Sequence, residues 1–226
     1  MRRTSRAAVG STTFTFASVV DQDKGALTVG TPITTTIAAS GQNASYTFAG
    51  ATGVHKTVDI TATNWGSGDA RLYVYDPSGT LYTYCNLATA PTYCDFIPNV
   101  SGTWKLLLDP QGQAVGSTTF TLVNDQAKGG LTKNVAITTT ISAKGQNANY
   151  TFAGLNGTPV TFDVTATNWG SGGATLYFYQ PDGTLYTYCN FTTDPTQCYL
   201  TPNITGTWKV MLDPYEASVG STTFKY

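Results

Sequence analysis

One block of sequence occurs twice in this chain, and that repetition decides what it can fold into. GQNASYTFAG (41–50) returns as GQNANYTFAG (145–154), TATNWGSG (61–68) returns at 165–172, and LYTYCN (81–86) returns at 185–190. The offset is 104 residues each time, as from 41 to 145. A period of that length is too long for a solenoid repeat and matches one sandwich domain with its own core. VGSTTF, by contrast, occurs three times, at 9–14, 115–120 and 219–224. Two complete units therefore carry three copies of one strand, and the copy at the front is surplus.

Within each unit, short alternating runs are separated by Gly, Pro, Asn and Asp, which is the pattern of strands and tight turns. In the first unit the expected strands cover 33–38, 44–49, 56–65, 70–76, 80–86, 92–97, 102–109 and 116–123. DPSGT (76–80) and QPDGT (180–184) predict hairpin turns, Pro presetting φ and Gly accepting a positive φ. Only 11% of residues are charged, and no run has the period of an amphipathic helix. The expected fold is all-β: two tandem β-sandwich, jelly-roll-like domains of about eight strands each. Residues 1–25 read as a leader with the surplus strand (9–16) and a linker, 26–123 as the first sandwich and 124–226 as the second. The polar stretches 19–31 and 124–134, with DQDKG and DQAKG, read as linkers or crossover loops.

Alternation also assigns faces. Trp104, Leu106 and Leu108 share one side of their strand, as do Trp208, Val210 and Leu212 of theirs; Tyr46, Phe48, Val58 and Ile60 point inward with them. By the same parity Trp65 and Trp169 fall on the polar face, unless a bulge intervenes. Tyr73 and Tyr75 alternate against Leu72 and Val74, with Tyr82 and Tyr84 expected to continue the stripe on the paired strand. The second unit keeps Tyr177, Tyr179, Tyr186 and Tyr188. Such matched tyrosines either brace an exposed sheet across its strands or form a contact surface for sugar rings or for protein.

Cys85 with Cys94, and Cys189 with Cys198, each close a short loop at the same place in the repeat. The spacing predicts one disulfide per unit and an oxidising, extracellular or cell-surface location. A net charge of −1, with Arg2, Arg3 and Arg6 all ahead of the first unit, offers no footprint for nucleic acid, and no apolar run is long enough for membrane insertion.

The residues 41–109 and 145–213 resemble the bacterial pre-peptidase C-terminal (PPC) type of domain. GQNASYTFAG, DARLYVYDPSGTL and VSGTWKLLLDP carry the likeness. It implies a compact β-sandwich attached to secreted bacterial proteins, often as a non-catalytic accessory, adhesive or targeting module.

Catalysis is not expected. His55 stands where the second unit has Pro159, Asp69 where it has Gly173, and Asp76 where it has Gln180, and no nucleophile, zinc or phosphate-loop motif is present. Asp109 and Asp213 repeat, and precede Pro as turn formers do. No cofactor or metal is expected. The chain therefore reads as a non-catalytic structural or adhesive tandem-repeat protein. Its expected partners are copies of itself or neighbouring repeats. In one version Val9, Phe14 and Phe16 of the surplus strand enter another subunit and build a head-to-tail filament. The alternative is a carbohydrate-binding accessory module that holds a polysaccharide on Trp65, Trp169 and the tyrosine stripes.

Overall fold

The computed structural model describes residues 10–13, 18–66 and 68–226. In the first unit, β1 (Gln22–Ala26), β2 (Ile33–Ile37), β3 (Ala44–Gly50), β4 (Lys56–Asn64), β5 (Ala70–Tyr75), β6 (Leu81–Asn86), β7 (Thr92–Phe96), β8 (Gly102–Pro110) and β9 (Gly116–Asn124) form two sheets. One has the order β1-β3-β8-β5-β6 and the other β2-β9-β4-β7. Apart from β1, this interleaving of eight antiparallel strands is that of a jelly roll. The second unit repeats it with β10 (Gln126–Gly130), β11 (Ile137–Ile141), β12 (Ala148–Gly154), β13 (Val160–Asn168), β14 (Ala174–Tyr179), β15 (Leu185–Phe191), β16 (Thr196–Leu200), β17 (Gly206–Pro214) and β18 (Gly220–Lys225). The all-β, two-sandwich architecture expected from the repeat is the one observed.

The inward residues meet between the sheets. Trp104, Leu106 and Leu108 from β8 pack with Phe48 and Leu72 on one side and Ile60 and Phe120 on the other, all buried. Fully burying each such side chain contributes about 1.5–3 kcal/mol. Gly50 faces Trp104 because a Cβ there would run into the indole, and Gly154 faces Trp208 likewise. The hairpin turns form as expected, with Gly79 at φ 84° and Gly183 at φ 88°. Asp76 accepts hydrogen bonds from the backbone N–H groups of Ser78 and Thr80. Both disulfides form, Cys85–Cys94 and Cys189–Cys198. Each ties an edge of the five-stranded sheet, β6 or β15, to an edge of the four-stranded sheet, β7 or β16. This pairing fits an oxidising compartment.

Two stretches read as linkers are strands. Gln22–Ala26 runs parallel to β3 and Gln126–Gly130 parallel to β12. Their register slips between Asp23 and Ala26 and between Ala127 and Gly129, where Gly25 (φ 72°) and Gly129 (φ 80°) absorb the extra residue. The first sandwich consequently begins at Gln22, and the expected boundary at 26 falls at the end of β1.

The VGSTTF copies in β9 and β18 lie between two partners each, β2 and β4 or β11 and β13. Both sandwiches are thus completed by their own strand. In the front copy, Gly10–Thr13 are exposed and carry no regular structure. Val9, Phe14 and Phe16, the expected donor residues, lie outside the described residues.

Candidate binding cleft between the units

The two units meet at a joint built from a side chain the repeat does not share. His55, between β3 and β4, donates its Nδ1–H to Oδ1 of Asp125 at 2.8 Å, and its Nε2 lies 3.6 Å from Oδ2 of Asp95 on β7. Asp125 also accepts from the backbone N–H of Asn147 and from Nδ2 of Asn149. Burial pulls the imidazole down, but the hydrogen bonds and charges of Asp125 and Asp95 outweigh it and lift it to about 9. His55 is therefore a cation at neutral pH, held between two carboxylates.

A second contact lies beside it. Thr57 Oγ1 donates to the carbonyl of Gly145 at 3.0 Å. Gly145 has φ 69°, and a Cβ on it would meet the Tyr93 ring and Thr57. The joint explains a difference between equivalent strands. Lys56, Thr57 and Asp59 of β4 are buried, whereas Val160, Thr161 and Asp163 of β13 stay half-exposed. Burial raises Asp59, and the Lys144 backbone and charge work against that rise.

Against this joint opens a cleft of ≈ 720 Å³. One wall is the outer face of the second five-stranded sheet, with Thr175, Tyr177, Tyr188, Asn190 and Asp213; Tyr215 and Glu216 form its rim. The opposite wall carries His55, Tyr93 and Asp95 of the first unit, with Asn147 at the floor. Asp213 lies in β17 beside Thr175 of β14 and is not a turn residue. Burial pushes its carboxyl up to about 6; His55 pulls it down, and Asp125 and Asp95 push it further up. Four phenol rings, three carboxylates and two amides thus face one space, a combination suited to stacking on a ring and to holding a cation or hydroxyl groups.

The aromatic residues singled out by the sequence divide into three groups. Trp65 and Trp169 are core residues, each 5% exposed, which corrects their assignment to the polar face. The cause is a bulge: β4 slips against β9 between Ile60 and Ala62, and β13 against β18 between Val164 and Ala166, so parity inverts before the tryptophan. Tyr82 and Tyr186 also leave the stripe. A register shift between Val74 and Tyr75, repeated between Phe178 and Tyr179, turns them toward Trp104 and Trp208, 5.1 Å away edge-to-face in both units. Their hydroxyls donate to the carbonyls of Ile97 and Thr201.

The remaining six do form matched stripes. Tyr73 stands 5.7 Å from Tyr84 and 6.4 Å from Tyr75; Tyr177 stands 6.0 Å from Tyr188 and 6.5 Å from Tyr179. Tyr179 is covered by Lys209, whose Nζ is 5.2 Å from the ring centroid. Only the second stripe, through Tyr177 and Tyr188, faces the cleft. Tyr93, Asp95, Tyr215 and Glu216 were not singled out from sequence. Their signal lay in mismatch, because the other unit places Gln197, Tyr199, Gln111 and Gly112 at those positions.

No family model and no curated protein matches the chain. Among solved structures it is similar to a periplasmic inhibitor of g-type lysozyme, PliG of Aeromonas hydrophila, at 13% identity and TM-score 0.36, covering 46% of this chain and 99% of that one. It is also similar to the CUB1-EGF-CUB2 region of human MASP-1/3, at 7% identity and TM-score 0.29, covering 86% of this chain and 98% of that one. A third is the CBM22-1-CBM22-2 tandem of Paenibacillus barcinonensis Xyn10C, at 11% identity and TM-score 0.24, covering 79% of this chain and 73% of that one. At these identities and TM-scores the likenesses assign no function.

Proposed function

We propose that the chain is a non-catalytic structural and adhesive module of an extracellular or cell-surface protein, in which sandwich units are fixed in series. The observation that carries this is the joint: His55 of one unit is clamped by Asp125 at the root of the next. Both disulfides and the PPC-type resemblance of 41–109 and 145–213 point to the same class. Self-association, in this proposal, uses contacts between folded units. A donated VGSTTF strand would add to a sheet edge, since β9 and β18 already hold the places of its copies between two partners each.

Pulling one molecule between its ends tests the proposal. A mechanical link is expected to give two discrete unfolding events, each releasing less chain than its unit contains because a disulfide closes a loop with a sequence separation of 9. Gradual extension without discrete events would overturn it. A second reading, carbohydrate binding, is favoured by the tyrosine-lined cleft. It no longer rests on the two buried tryptophans.

A further inference from the structure

We propose that the cleft between the units binds an amine-bearing saccharide, whose ammonium group takes the place that the first unit fills with the guanidinium of Arg71. This rests on the carbohydrate reading of the cleft and narrows it to one chemical class.

The first unit supplies the template. Arg71 on β5 lies in register with Asp109 on β8; its Nη1 is 3.3 Å from the Tyr73 hydroxyl and its guanidinium is 5.5 Å from the centroid of the Tyr84 ring. A cation and two phenol rings thus form a set on one sheet face, with the Asp109 carboxylate on the neighbouring strand in register. The second unit keeps the rings as Tyr177 and Tyr188, and the carboxylate as Asp213, in the same register. Thr175 replaces the arginine and turns its hydroxyl to Asn190. Thr175 lines the cleft without supplying a charge, and Tyr188 beside it is 59% exposed.

Three further observations concern the cleft. Asp95 and Glu216 join Asp213 around the same space, and His55, the one cation among the described lining residues, is engaged by Asp125 and Asp95. Glu216 holds φ 50° where the first unit has Gly112 at φ 63°. A carboxylate therefore occupies a left-handed position that glycine fills without strain, and such strain gathers at ligand sites. Asn147, 8% exposed, lines the cleft, and its Oδ1 has no partner. The carboxylates and rings recognise an ammonium group, while the flat rings beside Thr175, Asn190 and Asn147 suit the C–H face and hydroxyls of a sugar. A lysine side chain would use the first set and leave the second idle.

Calorimetric titration of the full chain at about pH 6, where a sugar amine is protonated, tests this with a β-1,4-linked glucosamine tetramer. The N-acetylated tetramer, the neutral glucose tetramer and tetralysine serve as comparison probes. The glucosamine tetramer is expected to bind at least about tenfold more tightly than any of the three. Tyr188→Ala, at an exposed position, and Thr175→Arg, which restores the internal cation, are each expected to weaken it about tenfold. Equal affinity for the acetylated or neutral tetramer would overturn the amine assignment and leave carbohydrate binding standing. Tighter binding of tetralysine would make the partner a peptide and overturn the saccharide. Absence of binding by every probe would overturn both.

Discussion

His55 acts on the molecule through two carboxylates on different units, and its titration gives the joint a pH dependence with a definite sign. The folded pKa of about 9 lies above the ordinary value of 6.5, so its stabilisation is fully present below 6.5 and is lost as pH rises through 9. Asp125 and Asp95 are held below the ordinary carboxylate range: burial pushes Asp125 up and the His55 hydrogen bond overcomes it, while that bond leads for Asp95. Their contribution is present above the unfolded value of about 4 and is lost as pH falls through the lower folded values. Asp213 runs the other way, its cost growing as pH rises from about 4 toward its folded value of about 6. The joint is therefore strongest in mildly acidic solution. His55→Ala is expected to cost about 1–3 kcal/mol near pH 5, and the deficit is expected to shrink above pH 9; urea midpoints at the two pH values measure it. A buried pair inside the core gives an independent case. Tyr46 and Thr35 share a hydrogen bond between their hydroxyls, and Tyr46→Phe leaves the Thr35 hydroxyl without that partner, an expected loss of about 1–2 kcal/mol by denaturant titration.

At the level of strands, most of the architecture was legible because two-residue alternation and Gly or Pro punctuation agree. β8 announces itself through Trp104, Leu106 and Leu108, and the hairpin before β6 through DPSGT. Three things were not legible, each for a backbone reason. β1 and β10 have turn-like sequences, QDKGA and QAKGG, because a parallel edge strand recruits backbone groups and needs no buried side chains. Trp65 follows a bulge that inverts its face, and Tyr82 is itself the extra residue of one; neither bulge leaves a mark in hydrophobic periodicity. The Cys85–Cys94 disulfide closes the 87–91 connection and reinforces the tie between the two sheets at the β6 and β7 edges. Replacing Cys85 and Cys94 together by Ala is expected to lower stability by about 2–3 kcal/mol, and calorimetric melting of the variant checks it.

For the whole molecule, identities between the repeats defined the fold and mismatches defined the joint and the cleft. His55 against Pro159, Thr175 against Arg71 and Glu216 against Gly112 are the positions where two copies of one sandwich became different surfaces. A site built between units has no periodic signature, since its residues come from β7, β14, β15, β17 and the loops beside them and are far apart in sequence. The VGSTTF copies in β9 and β18 complete both sandwiches, so light scattering of the full chain and of one lacking residues 1–16 is expected to give the same state of association. Polymers that fall to monomer on that deletion would instead reveal strand donation. The central claim is that one charged joint fixes two sandwiches in series. Small-angle X-ray scattering of the wild type and of His55→Ala, each at about pH 5 and above pH 9, tests it most directly. The account predicts a single compact profile for the wild type at pH 5, and a larger radius of gyration for the variant at pH 5 and for the wild type above pH 9. Four superimposable profiles would contradict it.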